Sequence, residues 1–352
     1  MRAAVMTEVG AVEVTDRAEP ELDGNEVAAV MRVESCGICG TDARTFFNGD
    51  PRAEPPWVLG HEPVGVLEEV AGDAELPEDV AAGDRVFLGS ILTCGECRPC
   101  LEGHQNLCHH HGLYGYKPYP GAYAEWAAVP RVGLRNLYPL PPDLPSDLAT
   151  TADPFACALN GIEIAEIRMG DTIVILGAGP IGCVQALMAR SSGAGVVLLG
   201  DVSEGRRRLA DQVVGDAVDE IFDPGDDNGA AFVERSTAGE GAERVIVAAP
   251  AKPAQQAALR MAGPGARVVY FAGLAKHSPT VDFDANEMHY KELAVLGAYG
   301  ATPRQYRITL AWLERQRERA ERIVTHSLPL EQIAEGFDAI KSGEGLKVVI
   351  RP

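Results

Sequence analysis

Basic side chains are scarce in this chain of 352 residues. Lysine and arginine together number 31, only six of them lysine, against 51 aspartate and glutamate residues, so the formal net charge is −20 at pH 7. Nucleic acids and anionic membrane surfaces bind clustered cations, and the longest basic run is Arg206-Arg207-Arg208. We therefore expect neither nucleic acid nor a membrane as a partner. A salt-adapted cytoplasm and a GC-rich genome explain the acidic composition equally well.

Long apolar runs are also missing. No stretch approaches the roughly 18 apolar residues that a membrane-spanning helix needs. The N-terminal segment alternates like a β-strand and lacks the charged and apolar regions of a secretory signal. Internal repeats and low-complexity segments are absent, while 46% of the residues are hydrophobic. These features predict a cytoplasmic protein with a substantial packed core.

Cysteine is comparatively abundant, with eight residues. Four of them share the C-x2-C-x2-C-x7-C spacing of the run CGECRPCLEGHQNLC: Cys94, Cys97, Cys100 and Cys108. This spacing allows a short lobe, about residues 90–112, to arrange four thiolates around one tetrahedral zinc. Because four thiolates fill the coordination shell, we predict that this zinc is structural. Reduced thiols in a cytosolic setting fit these cysteines better than disulfides do.

A second set of metal-ligating residues is spread along the chain. Cys39 in CGICGTD, His61 in GHE and an acidic residue, either Glu62 or Asp153, supply three protein ligands. Three ligands leave one coordination position for water or an alcohol oxygen, which is the pattern of a catalytic zinc. Asp42 can accept the second imidazole N–H of His61 and fix its tautomer. The sequence leaves open which carboxylate binds directly.

Thr41, two residues after Cys39, is a candidate proton acceptor for the alcohol bound at that metal. A turn threonine without function is the alternative. His109-His110-His111 follows the last lobe cysteine, and we interpret this tract, like His104, as a solvated loop. The aromatic residues near the lobe are candidate pocket walls and equally candidates for core packing: Tyr116, Tyr119, Tyr123 and Trp126.

The run GAGPIG is a candidate dinucleotide-binding loop. It follows the predicted strand TIVIL and opens a predicted helix from Pro180 to about Ser192, which is the context that this motif requires. Gly177 permits the tight turn, Gly179 lets the backbone approach the pyrophosphate, and Gly182 lets the helix pack on the strand. The helix N-terminus then offers free N–H groups to the phosphates.

Asp201, at the end of the next strand, favours NAD over NADP because it can accept a ribose hydroxyl and repels a 2′-phosphate. Arg206 can stack on adenine or contact a phosphate. The predicted cofactor-binding residues are Gly177, Gly179, Pro180, Ile181, Gly182, Asp201 and Arg206.

Three segments are predicted from the changes of pattern along the chain. Residues 1–150 read as short strands separated by turns, and a proline-rich stretch marks their end. Residues 151–288 alternate buried strands with helices, which is typical of an α/β domain with a parallel sheet covered on both faces. Residues 289–352 revert to mixed character and are expected to rejoin the first domain.

Six motifs occur in order from end to end: CGICGTD, GHE, CGECRPCLEGHQNLC, GAYAEW, GAGPIG and GFDAIKSGEGLKVVI. On these motifs the chain resembles the zinc-containing medium-chain dehydrogenase/reductase family. The resemblance implies a GroES-like, β-rich catalytic domain and a doubly wound Rossmann domain. It also implies that Cys39, His61 and Asp153, with Glu62 close by, belong to the catalytic zinc, and that the four lobe cysteines hold a second zinc.

Within the family, an acidic residue at position 153 resembles the sorbitol and threonine dehydrogenase branches. Arg44 and Ile91 stand where threonine dehydrogenases typically carry histidines, and ANEMHYKELAVLGAYGATPRQYR is similar to bacterial polyol dehydrogenases. The resemblance therefore implies an NAD-dependent homo-oligomer, a dimer or tetramer, that oxidises a secondary alcohol of a polyol, cyclitol or sugar-derived substrate. Oxidation of threonine or another amino alcohol is the alternative. A non-catalytic relative is a third possibility, but it predicts lost zinc ligands, which this chain retains.

Overall fold

The computed structural model describes residues 1–23, 26–225, 228–275 and 277–352. Its strands are β1 (Arg2–Glu8), β2 (Ala11–Asp16), β3 (Val27–Ile38), β4 (Glu62–Val70), β5 (Arg85–Leu88), β6 (Ile91–Leu92), β7 (Gly112–Leu113), β8 (Trp126–Pro130), β9 (Leu137–Pro139), β10 (Thr172–Leu176), β11 (Val196–Gly200), β12 (Glu220–Phe222), β13 (Ala242–Val247), β14 (Ala262–Tyr270), β15 (Ala294–Gly297), β16 (Val324–Pro329) and β17 (Lys347–Arg351).

The α-helices are α1 (Gly40–Asn48), α2 (Arg98–Leu101), α3 (Ser146–Ala149), α4 (Ala152–Ala165), α5 (Pro180–Ser191), α6 (Glu204–Val214), α7 (Asn228–Ser236), α8 (Lys252–Met261), α9 (Ala285–Tyr290), α10 (Pro303–Arg315), α11 (Arg317–Glu321) and α12 (Ile333–Ser342). Short 3-10 turns occupy Pro51–Ala53, Gln105–Leu107, Arg131–Asn136, Gly215–Ala217 and Leu330–Gln332. Within the described part of the chain, no helix has the length and apolar character needed to cross a membrane.

Two compact units share the chain. The first comprises Met1–Ala156 together with Gly300–Pro352, and the second comprises Cys157–Tyr299. The sequence predicts this second domain over residues 151–288. The compact unit instead begins at Cys157 and ends at Tyr299, and it includes β15 as a strand of its sheet. The C-terminal segment belongs to the first unit.

A seven-stranded sheet organises the first unit, in the order β16-β17-β3-β4-β5-β9, with β8 also paired to β3. The long strand β3 is the centre, because it pairs antiparallel with β17, β4 and β8 along different parts of its length. Its sequence VAAVMRVESCGI is almost wholly buried. The end of β3 therefore lies between the start of β4 and the start of β17, and this juxtaposition positions the site described below.

The second unit contains six parallel strands in the order β12-β11-β10-β13-β14-β15. The central strands β10, β11 and β13 are buried nearly from end to end, as expected for a parallel sheet that helices cover on both faces. This doubly wound sheet, together with the β-rich first unit, confirms the predicted α/β fold class.

Candidate active site

Cys39, His61 and Glu62 come together in the first unit where β3 ends and β4 begins. Cys39 is the N-cap of α1, and its sulfur accepts a hydrogen bond from the backbone N–H of Thr41 at 3.5 Å. His61 directly precedes β4, and Glu62 is the first residue of that strand. One ligand atom from each of the three residues lies within 4.8 Å of the others. A thiolate, an imidazole and a carboxylate at these separations form a donor set suited to zinc.

A buried hydrogen-bond network fixes the imidazole of His61. Its Nδ1 lies 2.9 Å from Oδ1 of Asp42, and Asp42 is fully buried in the first turn of α1. Tyr123 donates to Oδ2 of Asp42 at 2.9 Å, and Tyr116 donates to Oδ1 at 3.4 Å. Since Nδ1 faces Asp42, Nε2 is the nitrogen that can bind a metal. Burial lowers the pKa of His61, but the charges of Asp42 and Cys39 outweigh burial and raise it well above its ordinary value.

The carboxylate of Glu62 forms a buried ion pair with Lys347, the first residue of β17. Gly37 of β3 stands opposite Glu62 in the strand register and makes room for this pair. A Cβ at position 37 would lie only 2.7 Å from Cε of Lys347. Position 37 therefore has to be glycine, because a side chain there would collide with Glu62 and Lys347.

One oxygen of Glu62 lacks a hydrogen-bond partner. Lys347 contacts Oε2, whereas Oε1 is buried with no partner among the described residues. Burial raises the pKa of Glu62, against the lowering effect of Lys347. Burial lowers the pKa of Lys347, but the charges of Glu62 and Cys39 together raise it by more, so the net shift is upward. An unpartnered carboxylate oxygen beside a thiolate and an imidazole is what a bound cation would satisfy, so these residues fit a zinc ion.

Asp153 occupies a different position from the three grouped residues. It lies in the first turn of α4 and is 5% exposed, and its Oδ1 accepts hydrogen bonds from Ser90 and Tyr306, each at 2.6 Å. It is not among the residues whose ligand atoms lie within 4.8 Å of one another in the described structure. The geometry thus groups Glu62, rather than Asp153, with Cys39 and His61.

Three residues of this neighbourhood have no role in the sequence analysis: Ser90, Tyr306 and Lys347. Ser90 and Tyr306 are ordinary turn and helix residues in the sequence, and only the tertiary fold brings them to Asp153. Lys347 could have been found from the sequence, because it begins the apolar strand KVVIR and buried lysines are rare unless paired. In the structure it is 2% exposed.

The aromatic candidates for pocket walls fall into separate roles. Tyr116 and Tyr123 are buried behind Asp42 and act as hydrogen-bond donors rather than as a wall. Tyr119 packs against the core of the first unit, and Trp126 begins β8. Thr41 is the second residue of α1 and is half-buried, and its backbone N–H contacts the sulfur of Cys39.

The four cysteines of the lobe converge without forming a disulfide. The sulfur atoms are 3.5 Å apart for Cys97 and Cys100, 3.7 Å for Cys97 and Cys108, and 3.5 Å for Cys94 and Cys108. A tetrahedral zinc with ordinary zinc–sulfur bonds requires an edge of about 3.8 Å. The cluster therefore fits a closed, four-thiolate zinc site.

Backbone N–H groups stabilise thiolates in this lobe. Although desolvation opposes the shift, hydrogen bonds from the backbone of Cys100 and His109 lower the pKa of Cys97 to about 6. Burial raises the pKa of Cys100 to about 12. His104, His109 and His110 are exposed, and none of them joins either group of potential ligands in the described residues.

The dinucleotide loop has the geometry that its glycines predict. Gly177 adopts φ +114°, which favours glycine, and Gly179 is the N-cap of α5. A Cβ at position 182 would lie 3.0 Å from the carbonyl carbon of Gly177, so only glycine lets α5 pack this closely on the loop. Pro180 and Ile181 form the first turn of the helix.

Asp201 follows β11 at the rim of a cavity of about 650 Å³ within the second unit, which Gly177, Gly200, Val202 and Phe283 also line. Its carboxylate accepts the backbone N–H of Ala178 and of Ser203, both at 2.8 Å. This side chain therefore also holds the glycine loop in place.

Arg206 lies half-buried in the first turns of α6. Desolvation lowers its pKa, against the opposing charge of Asp201. Its neighbour Arg207 is committed elsewhere, because it donates to the carbonyl of Asp201 and pairs with Asp223. Arg208 is exposed beside Glu204.

Comparison with known proteins agrees with these features. Two family models match the chain, the alcohol dehydrogenase GroES-like domain over residues 25–142 and the zinc-binding dehydrogenase domain over residues 180–315. A sorbitol dehydrogenase from Halalkalibacterium halodurans is 30% identical over 356 residues, which cover 100% of this chain and 99% of the relative. The chain belongs to the zinc-containing medium-chain dehydrogenase family. The resemblance found in the sequence is thereby confirmed.

Two further known proteins are similar to this chain over nearly its whole length. An L-threonine 3-dehydrogenase from Bacillus subtilis is 31% identical over 350 residues, with 97% of this chain and 95% of the relative covered. The solved structure of an alcohol dehydrogenase from Thermus sp. ATN1 superimposes with a TM-score of 0.90 at 31% identity, covering 100% of this chain and 99% of that one. This dehydrogenase is accordingly an oxidoreductase.

Proposed function

We propose that this enzyme oxidises a secondary alcohol of a polyol, cyclitol or sugar-derived substrate to a ketone, with zinc in its active site and NAD as hydride acceptor. The observation that carries the proposal is the convergence of Cys39, His61 and Glu62, with Oε1 of Glu62 unpartnered among the residues that the structure describes. These three residues would hold a metal ion and would leave one coordination position for the substrate.

Two zinc ions per subunit follow from the two donor sets. Cys39, His61 through Nε2, and Glu62 would hold the first ion, and the four lobe cysteines would hold the second. Zinc in the three-ligand site would supply Lewis acidity that lowers the pKa of the alcohol hydroxyl, whereas zinc in the four-thiolate site would support folding.

The remaining side chains orient the ligands and move the proton. Asp42 keeps Nδ1 of His61 protonated so that Nε2 is directed to the metal. The hydroxyl of Thr41, next to Cys39, accepts the proton of the substrate hydroxyl and passes it to water. Water is the proposed exit, with the ribose hydroxyl of the cofactor and Glu62 as the alternatives, because Glu62 is already paired with Lys347 and Thr41 is only half-buried. NAD, when bound in the second unit, would supply the acceptor for the hydride of the alcohol carbon.

NAD, rather than NADP, is the proposed cofactor because Asp201 lines the cavity at the end of β11. We expect Asp201→Ala to relax the preference for NAD over NADP by about 1–2 kcal/mol, roughly tenfold or slightly more, since a hydrogen bond and a charge repulsion are lost. Steady-state kinetics with both cofactors measure this. Asp223→Ala, which removes a nearby carboxylate paired with Arg207, is the matched control. An unchanged preference would transfer the selectivity to Arg206.

The Glu62–Lys347 pair makes a separate prediction about stability. Removing one partner of a buried ion pair leaves an uncompensated charge and costs about 3–5 kcal/mol. Lys347→Met should therefore destabilise the first unit strongly, and Lys117→Met, which breaks an exposed pair with Glu54, by about 0–1 kcal/mol. Denaturation followed by tryptophan fluorescence reports on this unit alone, because Trp57, Trp126 and Trp312 all lie in it. Equal losses for the two lysine variants would contradict the buried pairing.

Polyols are proposed over L-threonine because of two positions, Arg44 and Ile91. Arg44 is exposed and Ile91 is buried, and neither can supply the imidazole that the threonine branch typically carries there. A vicinal diol can bind the metal through one hydroxyl and place its other hydroxyl on polar groups of the site. A substrate without that second hydroxyl leaves buried polar groups unpaired at roughly 1–3 kcal/mol each.

Formation of NADH from NAD with a panel of sorbitol, xylitol, inositols, 2,3-butanediol, ethanol and L-threonine tests the proposal. We expect the highest kcat/KM for a polyhydroxylated secondary alcohol, with ethanol poor. A highest value for L-threonine would overturn the polyol assignment and favour the amino-alcohol alternative. No turnover with any alcohol would favour a non-catalytic relative. Cytoplasmic location and a dimeric or tetrameric assembly stay predictions of the sequence.

A further inference from the structure

A clamp of two hydroxyl groups holds the carboxylate of Asp153. Ser90 Oγ and Tyr306 Oη each donate to the same oxygen, Oδ1, at 2.6 Å, and the two hydroxyl oxygens are 3.2 Å apart. All three residues are buried, with 3%, 1% and 5% of Ser90, Tyr306 and Asp153 exposed. Hydrogen bonds to an ionised acceptor are the strong ones, and burial makes losing a donor costly.

The fold builds this clamp from three separate segments of the first unit. Ser90 lies between β5 and β6, Asp153 in the first turn of α4, and Tyr306 near the start of α10. A capping box formed by Thr302 and Gln305 fixes the start of α10, one residue before Tyr306. The position of the tyrosine hydroxyl is therefore set by the helix cap.

An aromatic cluster fixes the ring of Tyr306. Its centroid is 5.6 Å from that of Phe87 and 5.2 Å from that of Tyr138. Gly89 permits this packing, because a Cβ there would lie 3.1 Å from the ring of Tyr138 and 3.3 Å from that of Tyr306. The hydroxyl of Tyr138 is buried and has no hydrogen-bond partner in the described structure. Tyr138 thus shares the packing of Tyr306 without its contact to Asp153.

The clamp is built next to the segment that packs on His61. The carbonyl of Ser90 accepts the backbone N–H of Tyr114 at 2.9 Å, and a Cβ at the following residue, Gly115, would lie 3.3 Å from Cβ of His61. The charge of Asp153 is one of the causes, after burial, that raise the pKa of Glu62. Yet Asp153 does not join the ligand atoms of Cys39, His61 and Glu62 that lie within 4.8 Å of one another.

We propose that Ser90 and Tyr306 are positioning residues that hold Asp153 beside the metal site as a fixed anionic acceptor outside the permanent ligand set. This inference rests on the proposed function, because it assumes that Cys39, His61 and Glu62 bind the metal. Removing either hydroxyl takes away one of the two hydrogen bonds to Oδ1, so the carboxylate is held less firmly and gains freedom to turn and to change the field around the metal.

Cobalt(II) in place of the exchangeable metal gives a readout that does not depend on turnover. Visible absorption bands that disappear in Cys39→Ala are assigned to this site. We expect Tyr306→Phe and Ser90→Ala to shift these bands and to lower kcat/KM by about tenfold or more, since each removes one hydrogen bond to a charged group. The matched control Tyr138→Phe removes a hydroxyl from the same aromatic cluster and should leave the bands and kcat/KM as in the wild type.

Two results would overturn the clamp. One is a Tyr306→Phe spectrum and kcat/KM equal to those of the wild type, and the other is an equal change in Tyr138→Phe, which would reduce the effect to packing. If Tyr306→Phe does not fold, Ser90→Ala decides by the same criteria. If the cobalt spectrum of Cys39→Ala kept every band of the wild-type spectrum, the proposed function and the clamp would both be overturned. This outcome is distinct from failure of the clamp alone.

Discussion

Cys39→Ala and His61→Ala are each expected to abolish alcohol oxidation while leaving NADH binding nearly intact. Both residues belong to the first unit, whereas Gly177, Gly182 and Asp201 belong to the second. Loss of a Lewis acid removes several kcal/mol of transition-state stabilisation, which corresponds to a rate loss of about a thousandfold or more. NADH titration by fluorescence, together with turnover of the best alcohol, measures the two effects separately.

His109→Ala is the control for this experiment. His109 is exposed and lies outside both groups of potential ligands in the described structure, so its replacement should leave turnover unchanged. If His61→Ala retained activity comparable to that of His109→Ala, the assignment of His61 as a metal ligand would be wrong. If NADH binding fell as much as turnover, the division of labour between the two units would be wrong.

Cys97→Ser should act on folding instead of chemistry. The four sulfur atoms of the lobe are close enough to share one zinc, and binding energy at a structural zinc site is folding energy. We expect this variant to aggregate or to lose cooperative unfolding, as seen by circular dichroism during heating. Cys157→Ala, which removes a cysteine outside both ligand groups, is the matched control. A Cys97→Ser protein that is soluble, folded and inactive, like Cys39→Ala, would contradict a structural role for the lobe.

Much of the fold follows from local features of the sequence. The uninterrupted apolar runs TIVIL and VVLLG predict buried parallel strands, and the glycines of GAGPIG predict the turn into α5 that begins at Pro180. The cysteine spacing likewise predicts the lobe, because its ligands come from one short segment. These features depend on neighbours in the sequence, so periodicity and spacing reveal them.

The neighbourhood of the two carboxylates could not be predicted in the same way. Glu62 meets Lys347 only because β4 and β17 both pair with β3 and Gly37 leaves room between them. Asp153 meets Tyr306 only because the first turn of α4 lies against α10 in the first unit, where the rings of Phe155 and Trp312 are 5.3 Å apart. Such contacts join residues that are far apart in the chain, and the sequence therefore left the choice between Glu62 and Asp153 open.

Zinc content measured in parallel with NADH formation tests most directly whether an open metal centre is needed for alcohol oxidation. We predict two equivalents of zinc per subunit, and we predict that mild chelation removes one equivalent together with all activity while the circular dichroism spectrum stays unchanged, because Cys39, His61 and Glu62 form an open site and the four cysteines a closed one. Fully active enzyme that contains one equivalent of zinc, or none, would contradict the two-site assignment.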